Sequence, residues 1–212
     1  MGLKSVAVPE ALEPPFAKAE SYVETLFGGL DRKPSEGTIR VGDDRYVLMR
    51  CESLYATWFD ALTASFGEET ARDFIYNTAR EIGRSDSAEF SRRLGVNDPV
   101  ERLSSGPVHF AYAGWARVEI LPDSAPAPDS SFYIHYYHPN TFEAEVLLAK
   151  GRTTDKCACL FSAGYSAGWC TDAFKMELHG REIRCTAKGD PHCEFIMAPA
   201  EKLDGHEARL LG

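Results

Sequence analysis

No run in this sequence approaches the roughly 18 apolar residues that read as a membrane span. Its first stretch, MGLKSVAVPEALEPPF, is broken by prolines and has no apolar core of a secretory signal. Gly2 is followed by Val6 where a myristoylation pattern requires Ser or Thr, so a lipid anchor is not indicated either. Positive charge is scarce: 23 Lys and Arg stand against 32 Asp and Glu, a net charge of −9, which repels phosphate backbones and argues against direct nucleic-acid binding. No phosphate-cradling Gly-x-x-x-x-Gly-Lys-Ser/Thr loop and no glycine-rich dinucleotide fingerprint occur, so neither an ATPase nor an unaided nicotinamide-dependent reductase is expected. With 44% hydrophobic and 26% charged residues over 212 positions, the expectation is a cytoplasmic globular protein with a sizeable core, whose output passes through a partner.

Three stretches organise the chain. Residues 1–36, rich in Pro and Glu with a short apolar helix over 16–30, read as an N-terminal arm that either packs or serves dimerisation, or else frays. Residues 37–137 open on a short extended piece over 38–40 and a Gly42-Asp43-Asp44 turn, then take helical spacing, with Leu48, Cys51, Tyr55, Trp58 or Phe59, Leu62 and Phe66 on one stripe, which predicts a helix over 46–65. A second helix over 68–82 ends at Gly83, a third starts at Ser85 or Asp86, with Asp86 and Glu89 at capping-box spacing, and a short fourth has Pro99 in its first turn. After Gly106-Pro107 the period changes to two, predicting strands over 108–113, 115–121 and 131–137. Residues 138–212 hold a helix over 140–150 capped by Asn140, a long helix over 157–175 with small residues at Ala163, Gly164, Ala167 and Gly168, a hairpin of 182–186 and 193–197, and a polar last helix. The order predicts an α+β fold with helices packed on a largely antiparallel sheet.

Five of the six cysteines lie in the last third of the chain. In a reducing compartment they point to metal or burial rather than disulfides. Cys185 and Cys193 face each other across the final turn, Glu182 lies on the first arm, and Cys159 opens the preceding helix, giving a candidate tetrahedral site of Cys159, Glu182, Cys185 and Cys193. Cys157, His179 and His192 are rival ligands, and reduced cysteines buried as small hydrophobes would leave the same spacing.

The segment CLFSAGYSAGWCTDAFKMELHGREIRCTAKGDPHCEF, Cys159 to Phe195, resembles the 4-vinyl reductase domain, whose pattern runs Cys, Gly-Tyr-x-x-Gly and finally Cys-x-x-x-Gly-Asp-x-x-Cys-x-Phe. The same order is found in the sensor domains of XylR/DmpR/MopR-type aromatic-responsive activators. FGEETARDFIYNTAREIGRSDSAEF within Tyr46 to Leu94 is similar to their helical N-terminal half, and HPNTFEAEV, His138 to Val146, to their Trp-x-Asn-Ser-Phe-Glu-Ala segment. The resemblance covers residues 37–198 and implies structural Zn²⁺ on Cys159, Glu182, Cys185 and Cys193. It also implies a nitric-oxide-signalling/Golgi-transport type of ligand-binding fold, usually a homodimer. Those activators continue into an ATPase and a DNA-binding helix-turn-helix; this sequence stops after the sensor.

A small aromatic effector needs an apolar slot with one or two orienting polar groups. Phe110, Tyr112, Trp115, Tyr137, Phe142, Tyr165 and Trp169 are candidate walls, although each has an ordinary place in a core. His109 and His138 are the polar candidates, carried over from the family's phenol-binding His and Trp, with His138 standing where the family has Trp. The resulting expectation is a zinc-stabilised sensor or binding module for a small aromatic or hydrocarbon effector, signalling to a transcriptional or other partner. The alternatives are a tetrapyrrole carrier or accessory of 4-vinyl reduction, and an interaction scaffold without a ligand cavity. Catalysis of its own is not indicated, since a closed four-ligand site has no open position for water.

Overall fold

The computed structural model describes residues 2–212; Met1, the first residue of the expected arm, lies outside them. Strand β1 (Val6–Ala7) and helix α1 (Glu13–Gly28) lead into a small antiparallel sheet, β2 (Asp31–Lys33), β3 (Thr38–Val41) and β4 (Asp44–Tyr46). Four helical segments follow: a π-helical turn at Ser53–Thr57 running into α2 (Trp58–Phe66), then α3 (Glu68–Leu94) and α4 (Pro99–Tyr112). The remainder alternates: β5 (Val118–Ile120), β6 (Ile134–His138), α5 (Phe142–Ala149), α6 (Leu160–Phe174), β7 (His179–Arg184), β8 (Cys193–Ala198) and α7 (Ala200–Leu211). The main sheet has the order β1-β5-β6-β8-β7, antiparallel except for the β1–β5 pair. The expected α+β architecture is what the chain adopts.

Alternation along β6 and β8 sorts the two faces of the sheet. Ile134, Tyr136, Cys193, Phe195 and Met197 join the large core beneath α3, α4 and α6, and His138 lies fully buried on the same face. Tyr133, Ile196 and Ala198 face the other way and pack on Leu203 of α7. The N-terminal segment is bound into this frame: Val6 pairs with Val118, and Phe16, Ala19 and Val23 of α1 are buried. The buried Glu20 carboxylate accepts hydrogen bonds from the backbone N–H groups of Lys4 and Ser5.

Several element boundaries depart from the sequence reading, each for a physical reason. The predicted helix over 46–65 starts later, because Tyr46 is paired with Ile39 in β4 and residues 47–50 form no element. Gly83 does not end a helix; α3 runs through it for 27 residues. A Cβ at Gly83 would sit 2.1 Å from the Tyr165 carbonyl oxygen, one at Gly164 2.2 Å from that of Tyr76, and one at Gly168 1.8 Å from that of Arg80. The three glycines let α3 and α6 touch backbone to backbone. The predicted strand over 108–113 is the second half of α4, which starts as expected at Asp98, whose side chain caps Val100 and Glu101 N–H, with Pro99 next. The helix continues through Gly106-Pro107, where Gly106 lies flat against the Trp169 indole and Trp169 Nε1 donates to Arg102 O at 3.0 Å. In α5 the cap is Thr141, not Asn140.

A Gly168→Ala substitution therefore forces two helix backbones apart. We expect it to cost about 3 kcal/mol or more, read as a lower urea midpoint; an unchanged midpoint would contradict the backbone contact.

Candidate functional site

Two sites share helix α6. The first lies at its N-terminus, where Cys159 precedes Leu160 and meets the β7–β8 hairpin. Cys159 Sγ lies 4.0 Å from Cys185 Sγ and 3.7 Å from Cys193 Sγ, and the ligand atoms of Cys159, Glu182, Cys185 and Cys193 all fall within 4.8 Å of one another. A tetrahedron with metal–sulfur bonds of about 2.3 Å has sulfur–sulfur edges of about 3.8 Å, so the spacing fits a metal ion. Glu182 Oε2 accepts from Cys159 N–H at 2.7 Å, leaving Oε1 buried without a partner. Burial pushes the Cys159 thiol and the Glu182 carboxyl up, towards their neutral forms. Cys193 is drawn down to thiolate by hydrogen bonds from Cys159 and Cys185. So many acidic groups in one dry space are stable together as anions around a cation.

Neighbouring polar groups hold this arrangement, as outer contacts do around metal ligands. Thr141, the α5 cap, places its hydroxyl 3.1 Å from Cys159 Sγ, and Thr186 N–H donates to Cys193 Sγ at 3.4 Å. Asp190 accepts from Cys185 N–H at 2.8 Å and fixes the turn. The rival ligands are occupied elsewhere or stand aside: His192 contacts Glu194, His179 contacts Glu177, and Cys157 is half-buried outside the cluster. Asp190 is legible as a turn residue, but the sequence reading places the α5 cap on Asn140 instead of Thr141, and nothing in it marks either Thr141 or Asp190 as a neighbour of sulfur.

The second site is a cavity of about 40 Å³ between α4, α6 and the inner face of the sheet. Its walls include Phe110, Tyr165 and Trp169, together with Gly106 and Pro107 of α4, Val118 and Ile120 of β5, and Tyr136 of β6. No charged side chain lines it. The other expected wall residues are spread around it. Trp115 packs on Tyr165 at 5.0 Å and on Phe161 at 4.6 Å, and Phe142 stands behind Trp115 at 6.0 Å. Tyr112 packs against Phe27 at the end of α4, and Tyr137 points to the opposite face of the sheet against His192. A guest the size of benzene fills an engineered cavity of about 150 Å³, so the walls must move to admit one.

The two histidines differ in how they are satisfied. His109, on α4 rather than on a strand, is buried with Nδ1 3.0 Å from the Tyr165 hydroxyl and Nε2 3.3 Å from that of Tyr46. Tyr165 gives its proton to Asp86 at 2.8 Å, so it accepts from His109 Nδ1–H, and Nε2 accepts from Tyr46. Both nitrogens are used. His138 is fully buried between Phe110, Tyr136 and Phe195, and neither of its nitrogens has a partner; the Tyr136 hydroxyl also has none. Burial holds His138 neutral, with its pKa pushed down to about 3. Tyr46, Asp86 and Tyr136 escaped the sequence reading; Asp86 looked like a helix cap, and its real partner is 79 residues away.

His109 also gives a pH signature. Burial lowers its pKa from 6.5 to about 4, so between those values the unfolded chain takes up a proton that the native protein refuses. Stability contributed by neutral His109 is present above pH 6.5 and lost as pH falls towards 4, about 2 kcal/mol of it by pH 5. Urea midpoints at pH 7 and pH 5 should fall less for His109→Gln than for wild type; equal falls would contradict this burial.

Residues 26–123 match the family model described as activator of aromatic catabolism, and residues 139–199 match the model of the 4-vinyl reductase domain. The phenol regulator MopR of Acinetobacter guillouiae is 29% identical over 77% of this chain, and the transcriptional regulatory protein XylR of Pseudomonas putida 24% identical over 79%. The chain spans 29% and 30%, respectively, of the lengths of those regulators. The crystal structure of the phenol-responsive sensory domain of the transcription activator PoxR with phenol superposes with a TM-score of 0.75 at 22% identity, covering 92% of this chain and 96% of that one, and so shares its fold.

Proposed function

From a chain that matches the sensor domain of aromatic-responsive activators across both of its halves, we propose that it is a metal-stabilised sensor of a small aromatic effector that signals to a transcriptional partner. The observation that carries this reading is the cavity under α4, whose aromatic walls enclose no charge and whose edge holds buried polar groups without partners. This is the composition of a site for a neutral ring with a polar substituent. A tetrapyrrole, several times larger, gains no support from a cavity of this size.

The small cavity suggests how occupancy becomes a signal. A guest must displace wall residues, and α4 is the wall built to yield: Pro107 has no N–H to bond to the preceding turn, and Gly106 contributes no side chain. Helix α1 packs on α4, and β1 is bonded to β5. Movement of α4 would therefore reach the N-terminal segment, which we take to be the dimer contact. The sheet and α6 stay fixed because the metal cluster ties the start of α6 to the last hairpin. In this reading the metal is Zn²⁺, held by Cys159, Glu182, Cys185 and Cys193, and its role is structural. No helix among the described residues is long and apolar enough to cross a membrane, and we place the sensor in the cytoplasm.

A thermal-shift screen of metal-quantified protein tests the reading. With about one zinc per chain, phenols or alkylbenzenes at saturating concentration should raise the Tm by several degrees through mass action. Cys185→Ala should lose the metal and melt lower. No shift with any aromatic while zinc is present would contradict the sensor, and full metal content in Cys185→Ala would contradict the ligand set.

A further inference from the structure

Among the buried polar groups without partners, those of Tyr136 and His138 lie side by side on one strand. Tyr136 and His138 are consecutive inward positions on β6, so their side chains stand one pleat apart on the helix-covered face. Tyr136 lines the cavity, and its hydroxyl makes no hydrogen bond. Ser166, from α6, lines the same cavity, with its side chain close to the Tyr136 hydroxyl. His138 lies just beyond, its ring 5.2 Å from that of Tyr136 and 5.5 Å from that of the wall residue Phe110. Leaving a buried hydroxyl and an imidazole unpaired is costly, and native proteins rarely do so without a guest or ordered water.

We infer that Tyr136 and His138 form a two-point polar anchor, and that the effector is a neutral aromatic carrying two hydrogen-bonding groups, such as a dihydric phenol, rather than phenol, an alkylbenzene or an aromatic acid. The inference rests on the aromatic-effector reading and narrows it. His109 cannot serve as the anchor, because Tyr46 and Tyr165 already use both of its nitrogens. His109 is instead a positioning residue that holds Tyr165 in the wall. Water can satisfy Tyr136 and His138 in the free protein, and a guest that displaces that water must replace its hydrogen bonds. An alkylbenzene replaces none of them, and a single hydroxyl serves one anchor point. A neutral imidazole offers one donor and one acceptor and a tyrosine hydroxyl offers both roles, so two hydroxyl groups on one ring complete the set. A carboxylate is excluded because no Lys or Arg lines the cavity.

Calorimetric titration of toluene, phenol, catechol, resorcinol, hydroquinone and benzoate into the wild-type protein tests this directly. At least one dihydric phenol should bind about tenfold tighter than phenol, and benzoate should not bind. Tyr136→Phe removes a buried hydroxyl that no protein group pairs with good geometry, so the free variant should fold and melt close to wild type while its preference for the dihydric phenol falls to about twofold or less. His138→Phe provides a second variant with the same expected loss of preference. Phenol or toluene binding as tightly as every dihydric phenol, or an undiminished preference in Tyr136→Phe, would overturn the inference and leave the aromatic sensor standing. Binding of none of the six would overturn both.

Discussion

The contact between α3 and α6 sets the positions of everything else, and it is a contact between backbones. Gly83, Gly164 and Gly168 bring each helix within reach of carbonyl oxygens on the other. At that separation α6 has almost no exposed surface: 12 of its 15 residues are buried. A helix enclosed this way cannot slide or rotate by a fraction of a turn without a steric clash. Its N-terminus is thereby held at the hairpin, where Cys159 meets Cys185 and Cys193, and its midsection is held over the sheet, where Tyr165 and Trp169 wall the cavity. One rigid element carries both the candidate metal site and the candidate effector site.

The two sites divide the mechanical work. The cluster joins the N-terminal end of α6 to the paired strands β7 and β8, so a bound ion would contribute to folding by fixing the last hairpin on the core. On the far side of the sheet, Glu194 next to Cys193 receives His135 and Arg184, and Arg184 also reaches the Leu210 carbonyl, which fastens α7 to the same hairpin. The opposite wall, α4, has a proline inside the helix and a glycine pressed on an indole. The tied half of the structure carries the candidate metal site, and the half with the interrupted helix faces the candidate effector site.

Much of this was legible in the sequence where the signal is local. Asp98-Pro99 announces the start of α4, the cysteine pattern names the cluster, and alternation after Cys193 gives β8. Two of the errors share one cause: a glycine or proline read as punctuation is in fact placed for a tertiary contact. Gly83 reads as a helix end and is a notch for Tyr165; Gly106-Pro107 reads as a break and is a helix turn beneath Trp169. Asp86 reads as a cap and instead receives the Tyr165 hydroxyl. Each depends on a partner tens of residues away, which a periodic reading over a dozen residues does not see. The placement of the histidines failed to emerge for the same reason, since only the folded chain shows that His109 is saturated and His138 is not.

The account stands on the cavity being the effector site, and filling it is the most direct test. Isothermal titration of a phenol into wild-type protein and into Ser166→Leu, which places a larger apolar side chain in the cavity, should give one site per chain with a negative heat-capacity change in the first. The second should fold and show no binding. Equal binding by both proteins would place the effector elsewhere and contradict the account.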